Sequence, residues 1–198
     1  VGSRRGERFE FPKPRFVPAN YRTAWDAIGE LLGENEAAFK SSVGGKWGEL
    51  LPLIPPGENY LYHSSKGRGF NLFEPRSRFW SFLLKLSPAL PSWTIQAKPG
   101  GAIGPFHWHN RRLTTRELAR LQTFPDHIQF QGGIAAIQRQ IGNAVPCAMG
   151  ELLGREIRIQ FFQESIPSCL SLIPAQNNAA RPRPKTARLL PFCYQHLL

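Results

Sequence analysis

The sequence predicts an α+β chain, with short strands and loops in the first two thirds and helices in most of the remainder. Three patterns predict this division. Between residues 60 and 106, short runs of aromatic and β-branched residues alternate with Gly, Ser and Pro, as is typical of short strands joined by loops. Thr114 and Glu117 have the spacing of a capping box at a helix start. An apolar stripe of helical period follows Pro146.

The first helix is predicted between Tyr21 and Leu32. Thr23 would cap it, Asp26 stands at its third position, and Gly33 would end it. Four apolar residues at helical spacing give it a side to bury: Trp25, Ile28, Leu31 and Leu32. Beyond it, Gly44-Gly45 is a predicted break and residues 50–56 an apolar, proline-rich connector.

Two strands are predicted within the 60–106 region. One lies around residues 78–84, where apolar and polar side chains alternate in part. The other spans residues 91–98 and continues into a loop at Gly100-Gly101. The aromatic residues of these segments are interpreted as core residues rather than as residues that stack on bases: Phe79, Trp80, Phe82 and Trp93.

The helix that begins after Thr114 is predicted to bury Leu118, Ala119 and Leu121 and to expose Arg116 and Arg120. It should end at Phe124-Pro125-Asp126, because a residue before proline is pushed out of the helical region. Gly142-Asn143 is predicted to form a turn, and Pro146 to open a last helix that ends near Phe161-Phe162. That helix carries an apolar stripe: Met149, Leu152, Leu153 and Ile157.

The formal charge of +11 is concentrated between residues 60 and 120. Ten Lys and Arg side chains stand there against Glu74 and Glu117, a net charge of +8. Such a cluster of charges can simply be a basic surface in contact with solvent. It can also bind a polyanion, with an affinity that depends on the salt concentration.

Cysteine, histidine and hydropathy patterns exclude several classes. Cys147, Cys169 and Cys193 form neither a C-x-x-C pair nor an even set, which favours a reducing, intracellular setting. His107 and His109 could share a metal on a strand, but no third ligand lies near them in the sequence, so no metal site is predicted. No apolar run approaches the roughly 20 residues that span a bilayer, and no signal peptide is evident, so no membrane partner is expected.

Two long patterns indicate a family. Residues 111–126 read R-x-L-T-x-R-E-x-A-R-L-Q-x-F-P-D, and residues 139–146 read R-Q-x-G-N-A-V-P. In this order they resemble the ninth and tenth conserved blocks of DNA (cytosine-5) methyltransferases. The opening V-G-S-R, followed by F-x-F-P-x-P at residues 9–14, resembles the end of the eighth block.

The resemblance implies a division of the chain. Residues 1–16 would end a strand of the catalytic domain, and residues 17–131 would form a target recognition domain with the ninth-block helix. Residues 132–162 would form the tenth-block helix, which completes a Rossmann-like methyltransferase domain. Residues 163–198 change composition, with several prolines and basic residues, and are predicted to be a flexible basic tail that adds unspecific DNA affinity.

The resemblance also implies site residues. A Thr followed by Leu or Ile and then a glycine-rich loop is typical of the family's recognition region, and Thr94-Ile95 with Gly100-Gly101 matches it. The residues expected to contact double-stranded DNA are Arg76, Arg78, Thr94, Lys98, Gly100, Gly101 and Arg111. Asn143, with the backbone of Ala144 and Val145, would line the S-adenosylmethionine pocket. A plain helix cap is the structural alternative for Asn143.

Catalytic residues are not found. The family's F-x-G-x-G turn, Pro-Cys-Gln nucleophile loop and Glu-Asn-Val acid are missing from these 198 residues. Cys147 follows Pro146, but no Gln follows it, and it is interpreted as a small apolar residue at a helix start. We therefore expect no methyl transfer by this chain alone, and an N-terminal half that carries the nucleophile as its partner. The expected setting is the prokaryotic cytoplasm, in association with the nucleoid, within a restriction-modification system.

Two other classes stay open at this stage. A non-catalytic DNA-binding remnant of a decayed gene would share the same recognition residues. A module that binds single strands or RNA on aromatic platforms would need exposed aromatic side chains at regular strand positions.

Overall fold

The computed structural model describes residue 4, residues 6–31, residue 43, and residues 47–167 and 169–197. Four α-helices lie in this part of the chain: α1 (Ala24–Ile28), α2 (Thr115–Leu121), α3 (Ile134–Asn143) and α4 (Cys147–Phe162). Short 3₁₀ turns lie at Pro18–Asn20, Gly29–Leu31, Gly48–Leu53, Tyr60–His63, Ser77–Phe79 and Phe192–Leu197. The described chain is thus mostly helix and loop. None of its helices is long and apolar enough to cross a membrane.

The first predicted helix is confirmed in type and cap. The Thr23 hydroxyl accepts a hydrogen bond from the Asp26 amide, and the Asp26 carboxylate accepts one from the Thr23 amide at 2.7 Å. This capping box opens α1, which continues as a 3₁₀ turn to Leu31. The predicted residues Leu32, Gly33 and Gly44-Gly45 lie outside the described residues.

The starts of α2 and α4 follow the prediction, but α2 ends at Leu121, before the predicted stop at Phe124-Pro125-Asp126, and α3 was not predicted as a helix of its own. Thr114 and Glu117 form the expected capping box of α2, which ends before Thr123 takes a left-handed φ of 61°. Pro146 is the N-cap of α4. Gly142-Asn143, however, does not form a turn between elements, because these residues are the last two of α3. That helix forms because Ile137 and Ile141 lie four apart and pack on the core beneath it.

The two predicted strands are wrong for the residues described. Residues 78–84 and 91–98 make no ladder, and the pairing here is confined to isolated bridges: Ser64 with Phe73, Phe82 with Ile103, and Lys85 with Phe106. Residues 77–79 turn into a 3₁₀ helix and Leu83 takes a positive φ of 52°, either of which interrupts an extended strand. Pro91 and Pro99 lack the amide that a ladder requires.

Two apolar clusters hold these loops. The first joins α1, α2 and α3 around the fully buried Trp108, with Ile95 from the second predicted strand. The second gathers the 3₁₀ turn Gly48–Leu53 with Tyr60 and Phe106. Lys85 is buried beside this second cluster, and its ammonium donates to the Ile54 carbonyl and to Asn110 Oδ1.

The segment predicted as a flexible tail is attached to the rest of the fold. Trp25 Nε1 donates to the Ala179 carbonyl at 3.1 Å, and the Asn177 amide donates to the Asp26 carboxylate at 2.8 Å. Further along, Tyr194 is buried in the second cluster. The prolines of this segment remove amides that would need partners, so an extended strap can lie across the surface with few hydrogen bonds.

Candidate nucleic-acid interface

Three loop segments that carry predicted DNA-contacting residues lie side by side. Gln96 Nε2 donates to Ser81 Oγ at 2.9 Å, and the Gly104 amide donates to the Ser81 carbonyl at 2.8 Å. These bonds join residues 76–82 to residues 93–98 and 100–104. We define the recognition face as the exposed residues of these three segments: Arg76, Arg78, Phe79, Trp80, Trp93, Thr94, Lys98, Gly100 and Gly101.

The arginines of the face project from a backbone that is fixed from below. The hydroxyl of the buried Tyr60 donates to the Arg76 carbonyl at 2.7 Å and accepts from the Arg76 amide at 2.8 Å. The side chains of Arg76 and Arg78 are exposed, and the contacts of the described residues pair neither with an acid. Their charges are therefore available to a ligand.

Thr94 is exposed next to a buried neighbour. Ile95 is 3% exposed and packs in the first cluster with Ile141, which anchors the segment that presents Thr94 to solvent. Lys98, four residues on, is exposed as well.

The glycine loop is held by Arg112, a residue that the sequence analysis did not single out. Its guanidinium donates to the Gly100 carbonyl at 2.9 Å and to the Gly101 carbonyl at 2.7 Å. The same group lies 5.2 Å from the ring centroid of Phe106, in a cation–π contact. Arg112 lies within the ninth-block pattern, which indicated that it could have a role in this region. Nothing in the sequence, however, distinguishes its role from that of Arg111.

Packing within the chain does not require a glycine at position 100. A Cβ on Gly100 would meet only Ile103 Cγ1, at the ordinary contact distance of 3.5 Å, and its φ is not positive. The fold thus leaves open space over this residue, where a ligand could approach the backbone closely.

Arg111 is engaged within the chain. Its two terminal nitrogens donate to the Glu117 carboxylate at 2.8 and 2.7 Å, and its side chain is only 11% exposed. The same carboxylate accepts from the Thr114 amide, so one buried acid caps α2 and binds Arg111. The guanidinium predicted to contact DNA therefore joins the loop before α2 to the helix itself.

The tenth-block segment touches the back of the recognition face. Gly142 lies so close to residues 96–97 that a Cβ there would be 2.4 Å from the Ala97 nitrogen. Gln138 Nε2, one turn earlier on α3, donates to the Gln96 carbonyl at 3.3 Å. The helix that the resemblance assigns to cofactor binding is thus in backbone contact with the segment that the resemblance assigns to DNA.

The predicted cofactor residues differ in which of their groups remain available to a ligand. Ala144 donates its amide to the Ile141 carbonyl and accepts from Gln122 Nε2 at 2.7 Å, so its backbone is satisfied within the chain. The side chains of Asn143 and Val145 are exposed. Asn143 is the last residue of α3 rather than a cap at the start of a helix, since Pro146 is the N-cap of α4.

The interpretation of the aromatic residues as core is wrong for three of the four. Phe79, Trp80 and Trp93 are between 40% and 48% exposed, and Phe82 alone packs on the second cluster. The aromatic content does not indicate which of these rings face the core and which face the solvent.

Neither the histidine pair nor Cys147 has the surroundings of a reactive site. His107 Nδ1 accepts from the His109 amide at 3.0 Å, and burial, with the charges of Arg111 and His109, lowers the pKa of His107 to about 2. No three His, Cys, Asp or Glu side chains of the described residues come together as metal ligands. Burial raises the pKa of the half-buried Cys147 thiol, which disfavours a thiolate.

The recognition face is therefore a surface suited to a polyanion, because its cations have no acidic partner among the described residues and lie beside an open glycine loop. Comparison with known proteins gives the family. Residues 58–158, just over half of the chain, match the profile of the C-5 cytosine-specific DNA methylases. The chain belongs to this family.

Several curated relatives are type II methyltransferases. M.SacI of Streptomyces achromogenes is 38% identical over 182 residues, which cover 81% of this chain and 46% of the relative. M.BbvI of Brevibacillus brevis is 32% identical over 85% of this chain and 45% of its own. M.NgoFVII of Neisseria gonorrhoeae is 51% identical over 135 residues, 64% of this chain and 33% of its own. The chain thus spans less than half the length of these relatives.

Proposed function

We propose that this chain is the DNA-reading and pocket-completing part of a DNA (cytosine-5) methyltransferase. The whole enzyme would transfer a methyl group from S-adenosylmethionine to cytosine in duplex DNA. A separate N-terminal half would carry the nucleophile. The observation that carries the proposal is the exposed Gly100-Gly101 loop, held by Arg112 and backed by the tenth-block helix at Gly142.

DNA reading follows from the layout of the recognition face. Thr94, Gly100 and Gly101 would approach base edges in a groove, because they are exposed and their backbone is accessible. Arg76, Arg78 and Lys98 would contact phosphates or bases as unpaired cations. Arg111 would support the recognition face indirectly, because its hydrogen bonds to Glu117 fix the start of α2.

Cofactor binding would involve the Asn143 side chain and the Val145 surface. Both are exposed beside the start of α4, and an amide side chain can donate to and accept from a polar ligand. The bound cofactor supplies the methyl group. This chain's part is to close one side of the pocket and to keep water from it.

The partner half would dock on α4. Of the predicted apolar stripe, Met149 is 53% exposed and Leu152, Leu153 and Ile157 are half-buried, and Phe162 at the end of the helix is 67% exposed, so α4 presents apolar surface that the described residues leave partly uncovered. Gly150 and Gly154 lie one turn apart and have nothing within 4 Å of a built Cβ. Glycine in a helix interior costs about 1 kcal/mol relative to alanine, and a close-packed partner would offset that cost.

The DNA-reading part is tested by duplex binding. We expect Gly100→Ala to weaken binding of a duplex that carries the recognised site by about tenfold, because the methyl group would stand between loop and groove. Gly133→Ala is the matched control, since Gly133 is also exposed and has nothing within 4 Å. Lys98→Ala should lower the salt dependence of binding by about one phosphate contact. Equal affinities of the Gly100 and Gly133 variants would contradict the assignment.

The split-enzyme part is tested by reconstitution. The chain is co-expressed with a family N-terminal half that contains the F-x-G-x-G turn and the Pro-Cys-Gln loop, and methyl transfer to duplex DNA is measured. Transfer by the mixture but by neither half alone is the expected result. A chain that binds duplex DNA but restores transfer with no such half would instead be a non-catalytic remnant.

A further inference from the structure

Two tryptophans stand together on the recognition face. The rings of Trp80 and Trp93 have centroids 5.6 Å apart and planes inclined at 58°. Trp80 is 48% exposed and Trp93 40% exposed. Exposing two large indoles in one place is unfavourable for an isolated chain, and such aromatic surface marks an interaction site.

The backbone of Trp80 is fixed from the buried side. Its carbonyl accepts from Nδ2 of the buried Asn59 at 2.8 Å. Asn59 Oδ1 in turn accepts from the Leu61 amide at 2.9 Å, which fixes the asparagine in the turn Tyr60–His63. The loop that carries Trp80 therefore needs little ordering of its backbone on binding.

The surroundings favour a nucleic-acid ligand. A cavity of about 250 Å³ borders Trp80, and its charged lining residues are Lys66, Arg68 and one acid, Glu58, so it carries a net positive charge. Lys66 and Arg68 are exposed and have no acidic partner among the described contacts. On the other side, Trp93 directly precedes Thr94. The indoles therefore lie between cations suited to phosphates and the residue expected at a base edge.

We propose that Trp80 and Trp93 contact the bases of duplex DNA directly, by stacking on a base face that becomes exposed when another base leaves the helical stack. This inference rests on the proposed function and adds a contact to it. An enzyme that modifies a base in a duplex must unstack it, and its neighbours or its partner base then expose an aromatic face. An indole surface can cover that face, and base–aromatic stacking is sequence-tolerant because every base has one.

The variants that test this are Trp80→Ala and Trp93→Ala, with Trp80→Phe and Trp93→Phe as aromatic replacements. Binding is measured with a duplex containing one unpaired base, with the fully paired duplex and with the corresponding single strand. Each alanine variant should lose about 5- to 150-fold in affinity for the duplex with the unpaired base, by the usual strength of a base–aromatic stack. The phenylalanine variants should retain most of the affinity. Leu90→Ala, which removes another exposed apolar side chain, should bind as the unmodified chain does.

A second measurement needs no variant of Trp80 or Trp93. Of the five tryptophans, Trp25 and Trp108 are buried and Trp47 is half-buried, so quenching of fluorescence by acrylamide, measured in a Trp47→Phe background, reports mainly on Trp80 and Trp93. Saturating duplex should reduce that quenching.

Failure of the tryptophan contact and failure of the proposed function would give different results. Unchanged affinity of both alanine variants, with a Gly100→Ala variant that still binds weakly, would overturn the tryptophan contact and leave DNA reading intact. A loss seen only with single-stranded DNA would also overturn it, in favour of a single-strand platform. Absence of any duplex binding by the unmodified chain would refute the proposed function itself.

Discussion

Replacing Gly142 by Ala would place a methyl carbon 2.4 Å from the Ala97 nitrogen, 2.5 Å from the Ala97 Cα and 2.7 Å from the Gln96 carbonyl carbon. All three neighbours are backbone atoms, which cannot turn away as a side chain can. Carbon atoms in contact prefer roughly 3.5–4.0 Å, so α3 and residues 96–97 would have to separate by about 1 Å.

Two effects of this substitution oppose each other. Overpacking of this kind costs about 1–3 kcal/mol, whereas alanine gains up to about 1 kcal/mol over glycine in a helix. Gly142 is the last but one residue of α3, where the gain is smaller. The clash should therefore win by about 1–2 kcal/mol, which lowers the Tm by about 2–8 °C for a chain of this size.

Gly150→Ala is the matched control, because it adds the same methyl group to the interior of α4 where nothing lies within 4 Å. It should stabilise the chain by about 0.5–1 kcal/mol. Thermal and urea unfolding of both variants measure the difference, and duplex affinity should fall for Gly142→Ala as residues 96–97 move. If both variants raise the Tm alike, the close contact between α3 and the recognition face is wrong.

Three further predictions concern buried groups. Glu117→Gln leaves the Arg111 guanidinium without its carboxylate and should cost about 3 kcal/mol in urea unfolding, whereas Glu164→Gln, at an exposed pair, should change stability by less than about 0.5 kcal/mol. Burial lowers the pKa of Lys85 from 10.5 to about 7, so between these pH values the unfolded chain binds more protons than the folded one. The free energy of unfolding should then rise across that window relative to Lys85→Met, and a difference between the two proteins that does not change from pH 7 to 10 would contradict this. Cys147→Ala should leave methyl transfer by the reconstituted enzyme intact, and an inactive variant would return this thiol to the list of candidate nucleophiles.

The parts of the fold that could be predicted from the sequence are those fixed by neighbours in the chain. The caps of α1 and α2 depend on residues three apart, Thr23 with Asp26 and Thr114 with Glu117, so their pattern is visible in a short window. The strands failed because pairing depends on distant segments, and Leu83 adopts a backbone angle that its residue type gives no reason to expect.

For the candidate site, the exposure of several predicted residues agrees with the sequence-based expectation, whereas the partners of the arginines could not be predicted. Thr94 and Gly100 lie on the exposed face that the resemblance implied, although their contact with DNA stays a prediction. Arg111 and Arg112 are identical in type and adjacent, yet one binds a buried carboxylate and the other binds the glycine loop. Only the three-dimensional positions of Glu117 and of the loop carbonyls separate them.

The strap formed by the C-terminal segment has a consequence for engineering. A graft that transferred only residues 17–131 into a related enzyme, in order to change its specificity, would leave Trp25 Nε1 without the Ala179 carbonyl and Asp26 without the Asn177 amide. Such a chimera would lose part of the support of α1, whether or not it binds DNA. A working exchange would therefore carry residues 170–197 along with the module, or would replace Trp25 with a residue that needs no acceptor.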